Sequence, residues 1–453
     1  MRQRFVTFAV FGLILVVIGE WDLRSQKLAA LSKGNNFWLE FCIGNAGDKL
    51  KDPAISIVRI DDGYEPLKIG DDEAIVNDGK LSRLDFATIL GFVGKMNPRS
   101  VVFLPTPTFD EKLVLNQTDI VPLKDAAMQL PKFTVATTIS NDGEQAKEAG
   151  EITYPTIKVD GTPDQVLAFT RTVRFPDPQI LQNGIPAFRS IESSRDLISG
   201  KTIQIPLVAK RGETIVPSVV LAAVANHAAV SFDQITLRLS GSHPVIQVGE
   251  VYTIPLSADG TMTLPNFSGI TQNMTSLRRG EDGKQREKYQ FTSLTAEELA
   301  YTGEKDDEVA KRILQDFQPK FDSLKENLVV IGFDRTADRR ITMASGEVLS
   351  ETSVLARAMA VSQSGRYIEV WSFPARLFFL AVIALIALYL FRLPRAKFVP
   401  AAIVAALVFV TATVILFSAT LRWMPPFVMM SLFVVILLVG LVIPGTSANK
   451  RSV

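Results

Sequence analysis

Long uncharged apolar runs occupy the two ends of the chain, and short ones fill its middle. At the N-terminal end, Phe5 to Gly19 is preceded by Arg2 and Arg4 and followed by Glu20, Trp21 and Asp22. A helix of that length covers roughly 22 Å of a hydrocarbon layer near 30 Å, so its flanks, Trp21 included, must complete a crossing. A cleaved signal peptide suits the basic start. The residues after Gly19 do not make a small-x-small cleavage site, however, and an uncleaved anchor over 1–20 is expected. At the other end, Phe373–Phe391, Phe398–Ala419 and Pro425–Ile443 are each long enough to span. The pattern therefore predicts four transmembrane helices: one N-terminal and three within 373–443, with a tail at 444–453.

The loops set an orientation. Arg2, Arg4, Arg392, Arg395, Lys397, Lys450 and Arg451 would share one side with no acid among them, whereas the opposite short loop carries Arg422 alone. The positive-inside rule then puts both termini in the cytoplasm and residues 21–372 outside, as in a multi-pass protein of a bacterial inner membrane. Arg376, one turn into its run, is expected to snorkel outward past Trp371.

Between the ends, apolar runs of strand length alternate with amphipathic stretches, the signature of an α/β domain. ISIVRI after Pro53 reads as a strand buried on both faces, Ser82 to Lys95 as a helix with Ser82 as N-cap and Asp85 completing a capping box, and SVVFLP as a second strand. A helix from Asp119 to Leu130 and the strand FTVATTI follow, a β-α-β-α-β order that implies parallel strands. TIQIPLVAK, ITLRL and VYTIPL predict an added antiparallel part around one helical insert, Pro217 to Ala229. The chain then reads as helical from Thr295 to Leu324, as a buried strand over NLVVIGFD, and as a last helix from Gly346 to Gln363. The expected fold is one extracytoplasmic α/β domain over 21–372, with a mixed, partly parallel sheet and helices on both faces.

Composition narrows the chemistry. The 48 Lys and Arg against 47 Asp and Glu give no basic field, which argues against nucleic acid as a partner. A single cysteine, Cys42, and two histidines, His227 and His243, provide neither an internal disulfide nor a zinc site of nitrogen and sulfur ligands, so neither a metal nor a cofactor is expected. The phosphate-loop, dinucleotide, nucleophile-elbow and metalloprotease motifs are missing, and an enzyme is not expected. Asn116, Asn266 and Asn273 open N-x-Ser/Thr triplets, which arise often by chance. The candidate ligand site is Asp61 and Asp62, adjacent carboxylates after a strand and before Gly63, with Arg83 facing them across the strand-to-helix loop. Acids in a turn also simply solvate it, and Asp334 and Asp338 read the same way. Ala401, Ala402, Ala405 and Ala406 form a small-residue face that fits either a partner helix or the protein's own spans.

The order of parts and several stretches resemble the type-two CHASE domain, an extracytoplasmic sensor associated with bacterial cyclases and with histidine or serine/threonine kinases. The resemblance is carried by WDLRSQ (Trp21 to Gln26), PAISIVRIDDGYEPLKIG (Pro53 to Gly70), LSRLDFATIL (Leu81 to Leu90), IQIPLVAKRGETIVPSVVLAAVA (Ile203 to Ala225) and NLVVIGFD (Asn327 to Asp334). GEVLSETSVLARAM (Gly346 to Met359) stands where the family has a helix with His and Asn, without those two residues, and Leu104 and Pro105 stand where it has an Asp. The chain ends ten residues after its last apolar run, where the family's output domain would follow. The resemblance thus implies a sensor of an envelope cue that relays through its spans to a separate membrane or signalling protein, with self-association as a further option. The alternative is a structural or assembly subunit of an envelope complex.

Overall fold

The structure is a computed structural model that describes residues 2–25, 29–46, 53–66, 81–106, 120–141, 152–174, 176, 178–191, 198, 202–240, 244–265, 274–279, 285–300 and 308–443. In chain order, helices α1 (Arg2–Ser25) and α2 (Ala29–Asn45) precede an alternating stretch of β1 (Ile55–Ile60), α3 (Arg83–Lys95), β2 (Ser100–Phe103), α4 (Ile120–Met128) and β3 (Phe133–Ser140). Next come β4 (Lys158–Asp160), β5 (Arg171–Arg174), α5 (Pro178–Leu181), β6 (Ile185–Ile191), β7 (Gln204–Pro206), β8 (Val208–Arg211), β9 (Thr214–Pro217) and α6 (Val219–Ala228). They lead to β10 (Ile235–Arg238), β11 (Val245–Val248), β12 (Tyr252–Pro255), β13 (Thr261–Thr263), β14 (Met274–Arg279), β15 (Gln285–Thr295), α7 (Ala296–Ala300) and α8 (Glu308–Leu324). The last elements are β16 (Leu328–Phe333), β17 (Arg340–Thr342), β18 (Val348–Ser350), α9 (Glu351–Ser364), β19 (Glu369–Val370), α10 (Phe373–Leu390), α11 (Arg395–Thr420), β20 (Arg422–Trp423) and α12 (Pro426–Val442).

These elements form two compact units, an α/β unit over 48–367 and a helical unit made of 1–47 and 368–453. Hydropathy had set the boundaries at 20/21 and 372/373. The difference is α2, which contacts α11 and α12 and carries too many polar residues to register as an apolar run.

The main sheet of the α/β unit runs β14-β15-β1-β16-β2-β3, and β6 takes the outer edge of β3. From β15 to β6 the pairings are parallel, while β14 and β5 are antiparallel additions. The late strand NLVVIGFD therefore lies between the first two strands, so the β1-α3-β2 crossover passes over β16. Side chains alternate between two cores as the pleat requires. Val58, Ile60, Val101 and Phe103 join α3, α4, α7 and α8 on one face. Ile55, Ile57, Val102 and Leu104 join α6 and α9 on the other. Helices on both faces explain why the strands read as continuous apolar runs.

Two local features follow from the sequence. Ser82 caps α3: its Oγ accepts from the Asp85 N–H at 3.1 Å, and the fully buried Asp85 accepts from the Ser82 N–H at 2.7 Å. Helix α6, VVLAAVANHA, is buried from Val219 to His227. It shares one core with the main sheet and with the small sheet β12-β11-β10-β4, and a helix enclosed in this way must be apolar all round. The antiparallel middle is present in β8-β9, β7-β13 and β10-β11-β12. TIQIPLVAK is interrupted at Leu207, and the predicted helix from Gly346 starts only at Glu351, because Val348–Ser350 pairs with β17.

In the helical unit, the segments Arg2–Trp21, Phe373–Leu390 and Arg395–Thr420 are long and apolar enough to cross a membrane, and α12 is a shorter apolar helix of 17 residues. α1 runs antiparallel to α12. Gly12 lies against Leu432, a Cβ on Gly19 would overlap Val428, and Arg4 donates to the Ile443 carbonyl at 2.8 Å. The Arg376 side chain reaches back toward Trp371, as expected, but its head is buried and paired. Only 8% exposed, it donates to the Trp371 carbonyl at 3.0 Å and pairs with Glu20 of α1 at 2.7 Å, a carboxylate 356 positions away in sequence. The alanine face of α11 packs into the unit's own core, with Ala402 fully buried and Ala401, Ala405 and Ala406 against it.

Candidate functional site

In a parallel sheet, chain turns at the carboxyl ends of the strands leave side chains free of the ladder. Asp61 and Asp62 follow β1 at that edge, and Arg83 is the half-buried first residue of α3. Asp61 accepts from the Gly63 N–H at 3.2 Å within its own turn. Asp62 accepts from the Thr336 hydroxyl and, at 2.8 Å, from the Thr336 N–H, which ties the loop after β1 to the loop after β16. These two bonds, with Arg335 and Arg340 adding to them, hold the Asp62 carboxyl below its ordinary range. Asp334 and Asp338 are also engaged rather than simply solvated. Asp334 pairs with Arg59 at 3.4 Å and Arg340 at 2.8 Å, and Asp338 pairs with Arg335 at 2.9 Å.

The same edge carries a second set of groups that sequence reading passed over. Arg59 on β1 and Arg189 on β6 sit in otherwise apolar strands and alternate onto the α9 side of the sheet, with Ile57 and Ala187. Arg189 donates to the Leu104 carbonyl at 3.2 Å, past the end of β2, and its Nε lies 3.5 Å from Glu351, the first residue of α9. Thr352 donates to the Phe333 carbonyl at 2.7 Å, fixing the start of α9 over the end of β16. Arg59 Nε and Thr106 Oγ1 are buried here without a hydrogen-bond acceptor, and Arg189 Nε, which makes no hydrogen bond, faces the Glu351 carboxylate at 3.5 Å. Buried donors of this kind are uncommon and call for an explanation.

Other candidates resolve differently. His227 Nδ1 lies 3.2 Å from Ser100 Oγ, but both residues are buried at the opposite, amino-terminal edge of β2. Burial, with Arg99 and Lys132 adding to it, pushes the imidazole down to about 4 and keeps it neutral. A serine-histidine pair enclosed in this way has no access to substrate. Cys42 is a buried free thiol in α2, and no group of three His, Cys, Asp or Glu that could hold a metal occurs among the described residues. His243, Asn116, Asn266, Asn273 and the tail at 444–453 lie outside the described residues. No protein-family model, curated protein or solved structure matches the chain.

Proposed function

We propose that this is a polytopic membrane protein whose α/β unit senses a small polar cue outside the membrane and passes the signal through its spans to a separate membrane or signalling protein. In this reading α12 is the fourth span, and both termini face the cytoplasm of a bacterial cell. The observation that carries it is the course of α9. The helix starts at the polar edge beside Arg189 and Phe333 and runs buried for about 21 Å. It ends at Gly365, four positions before β19 of the helical unit. Near that end Gln363 accepts from the Ala54 N–H at 2.9 Å, so the amino-terminal start of the sheet and the last turn of α9 are held side by side. A shift of α9 on binding would act directly on the chain that leads into α10. The likeness to the type-two CHASE domain supports the same reading.

The test uses the full chain in nanodiscs and a panel of small carboxylates, phosphates and sugars. The proposal requires a solute that raises the unfolding temperature, fails to do so with Arg189→Met, and changes amide exchange at residues 364–372. A solute that binds at this edge without altering that exchange would overturn the sensor and favour a docking subunit of an envelope assembly.

A further inference from the structure

Helix α2 has two apolar sides. On one, Leu39, Cys42 and Ile43 are buried. On the other side, Phe37 and Phe41 stand 71% and 48% exposed, and Trp38 stacks on Phe41 with ring centroids 5.2 Å apart. Aromatic side chains exposed to this extent beside a packed face indicate a nonaqueous neighbour. A cavity of about 200 Å³ lies where α2 meets α11 and α12, lined by Phe37, Trp38, Phe409, Thr413, Met430 and their neighbours. The Thr413 hydroxyl donates to the Val410 carbonyl at 2.7 Å and so takes no part in the lining chemistry. Phe409 and Thr413 lie roughly 17 and 10 Å along α11 from its end at Thr420, a depth that belongs to the hydrocarbon layer when α11 spans a bilayer.

We propose that α2 dips into the outer leaflet and that this cavity holds a segment of a phospholipid acyl chain. The inference rests on the reading that the helical unit is inserted in a membrane. An acyl chain is the occupant because the lining is apolar apart from the satisfied Thr413 hydroxyl, and the helices that form it carry further exposed apolar side chains. Leu407, Val408 and Ile415 on α11, and Val434 and Leu438 on α12, are all about half exposed or more, the character of lipid-facing helices.

The experiment reconstitutes the full chain in phosphatidylcholine vesicles carrying a trace phospholipid with a photoreactive diazirine in mid-chain, or on the headgroup in a parallel sample. Adducts are then mapped by mass spectrometry. The mid-chain probe should label Phe37, Trp38 and Met430, and also Phe378 and Leu385 on α10 as a control. Thr413→Trp, which fills the cavity, should cut labelling at Trp38 and Met430 by about tenfold, equivalent to roughly 1.4 kcal/mol, and leave Leu385 unchanged. Should that variant not fold, Gly34→Leu closes the cavity from the α2 side. Labelling of α10 with α2 reached only by the headgroup probe overturns the proposal while the membrane reading stands. Crosslinks from α2 to a second protein chain also overturn it. If α10 itself is unlabelled, the membrane reading fails and the proposal falls with it.

Discussion

His227 makes the stability of the α/β unit depend on pH in a direction that follows from its surroundings. The imidazole is 7% exposed and sits beside Ser100, and burial pushes its pKa down to about 4 from the ordinary 6.5. Because the folded value is the lower one, the unfolded chain binds the extra proton first. Stability from the neutral imidazole is therefore fully present above pH 6.5 and is lost as pH falls toward 4. The two values give a loss of about 2 kcal/mol between pH 7.5 and pH 5, close to a thirtyfold change in the ratio of folded to unfolded unit. Most carboxylates remain ionised over that window, which isolates the histidine. Amide exchange of the full chain in nanodiscs, read on peptides from β3 and α6 and corrected for the intrinsic rate at each pH, should accelerate by that factor. His227→Gln keeps an acceptor near Ser100 and removes the titration, so its corrected exchange should be flat. A flat wild-type profile, or the same slope in His227→Gln, would refute the argument.

Three further outcomes are expected. Glu20→Gln leaves Arg376 buried without its anion and should destabilise the helical unit by about 3 to 5 kcal/mol; because Trp21, Trp38, Trp371 and Trp423 all lie in that unit, tryptophan fluorescence reads the loss, and Glu20→Arg with Arg376→Glu should recover part of it. Gly332→Val would drive a side chain into Thr352 and should lift α9 from β16, at a cost of about 1 to 3 kcal/mol or more seen as faster exchange in α9. A phosphatase fused at Asn141 should be active and one fused in the 392–397 loop inactive, and the reverse pattern would overturn the orientation drawn from the basic residues.

Much of the fold was legible because its signals are local. ISIVRI, SVVF and LVVIGF announce doubly covered strands, Ser82 with Asp85 announces a helix start, and the three C-terminal runs fall close to α10, α11 and α12. What could not be read depends on partners distant in sequence. The insertion of β16 between β1 and β2 is fixed by pairing across more than 200 residues, and no local pattern encodes it. Helix α2 escaped because Asn35, Asn36 and Glu40 interrupt its hydropathy. The Glu20 partner of Arg376 was hidden for the same reason as β16: it comes from the other end of the chain.

The site shows why a sequence reading centred on the acids is incomplete. Asp61 and Asp62 stand out in a row of letters because they are adjacent and polar, yet each spends at least one oxygen on holding a loop in place. Arg59 and Arg189 look like single exceptions in apolar strands. It is those strands that make them informative, because a buried strand carries an arginine's stem into the interior and leaves its head at the end of the ladder. Each guanidinium meets a carboxylate there, Arg59 through Nη1 with Asp334 and Arg189 through Nε with Glu351, and Arg59 keeps a buried Nε without an acceptor. Charge is thus largely balanced at this edge while donor capacity is not. Under the proposed sensing function, that combination favours a small ligand with oxygen acceptors over a bare cation and points to the start of α9.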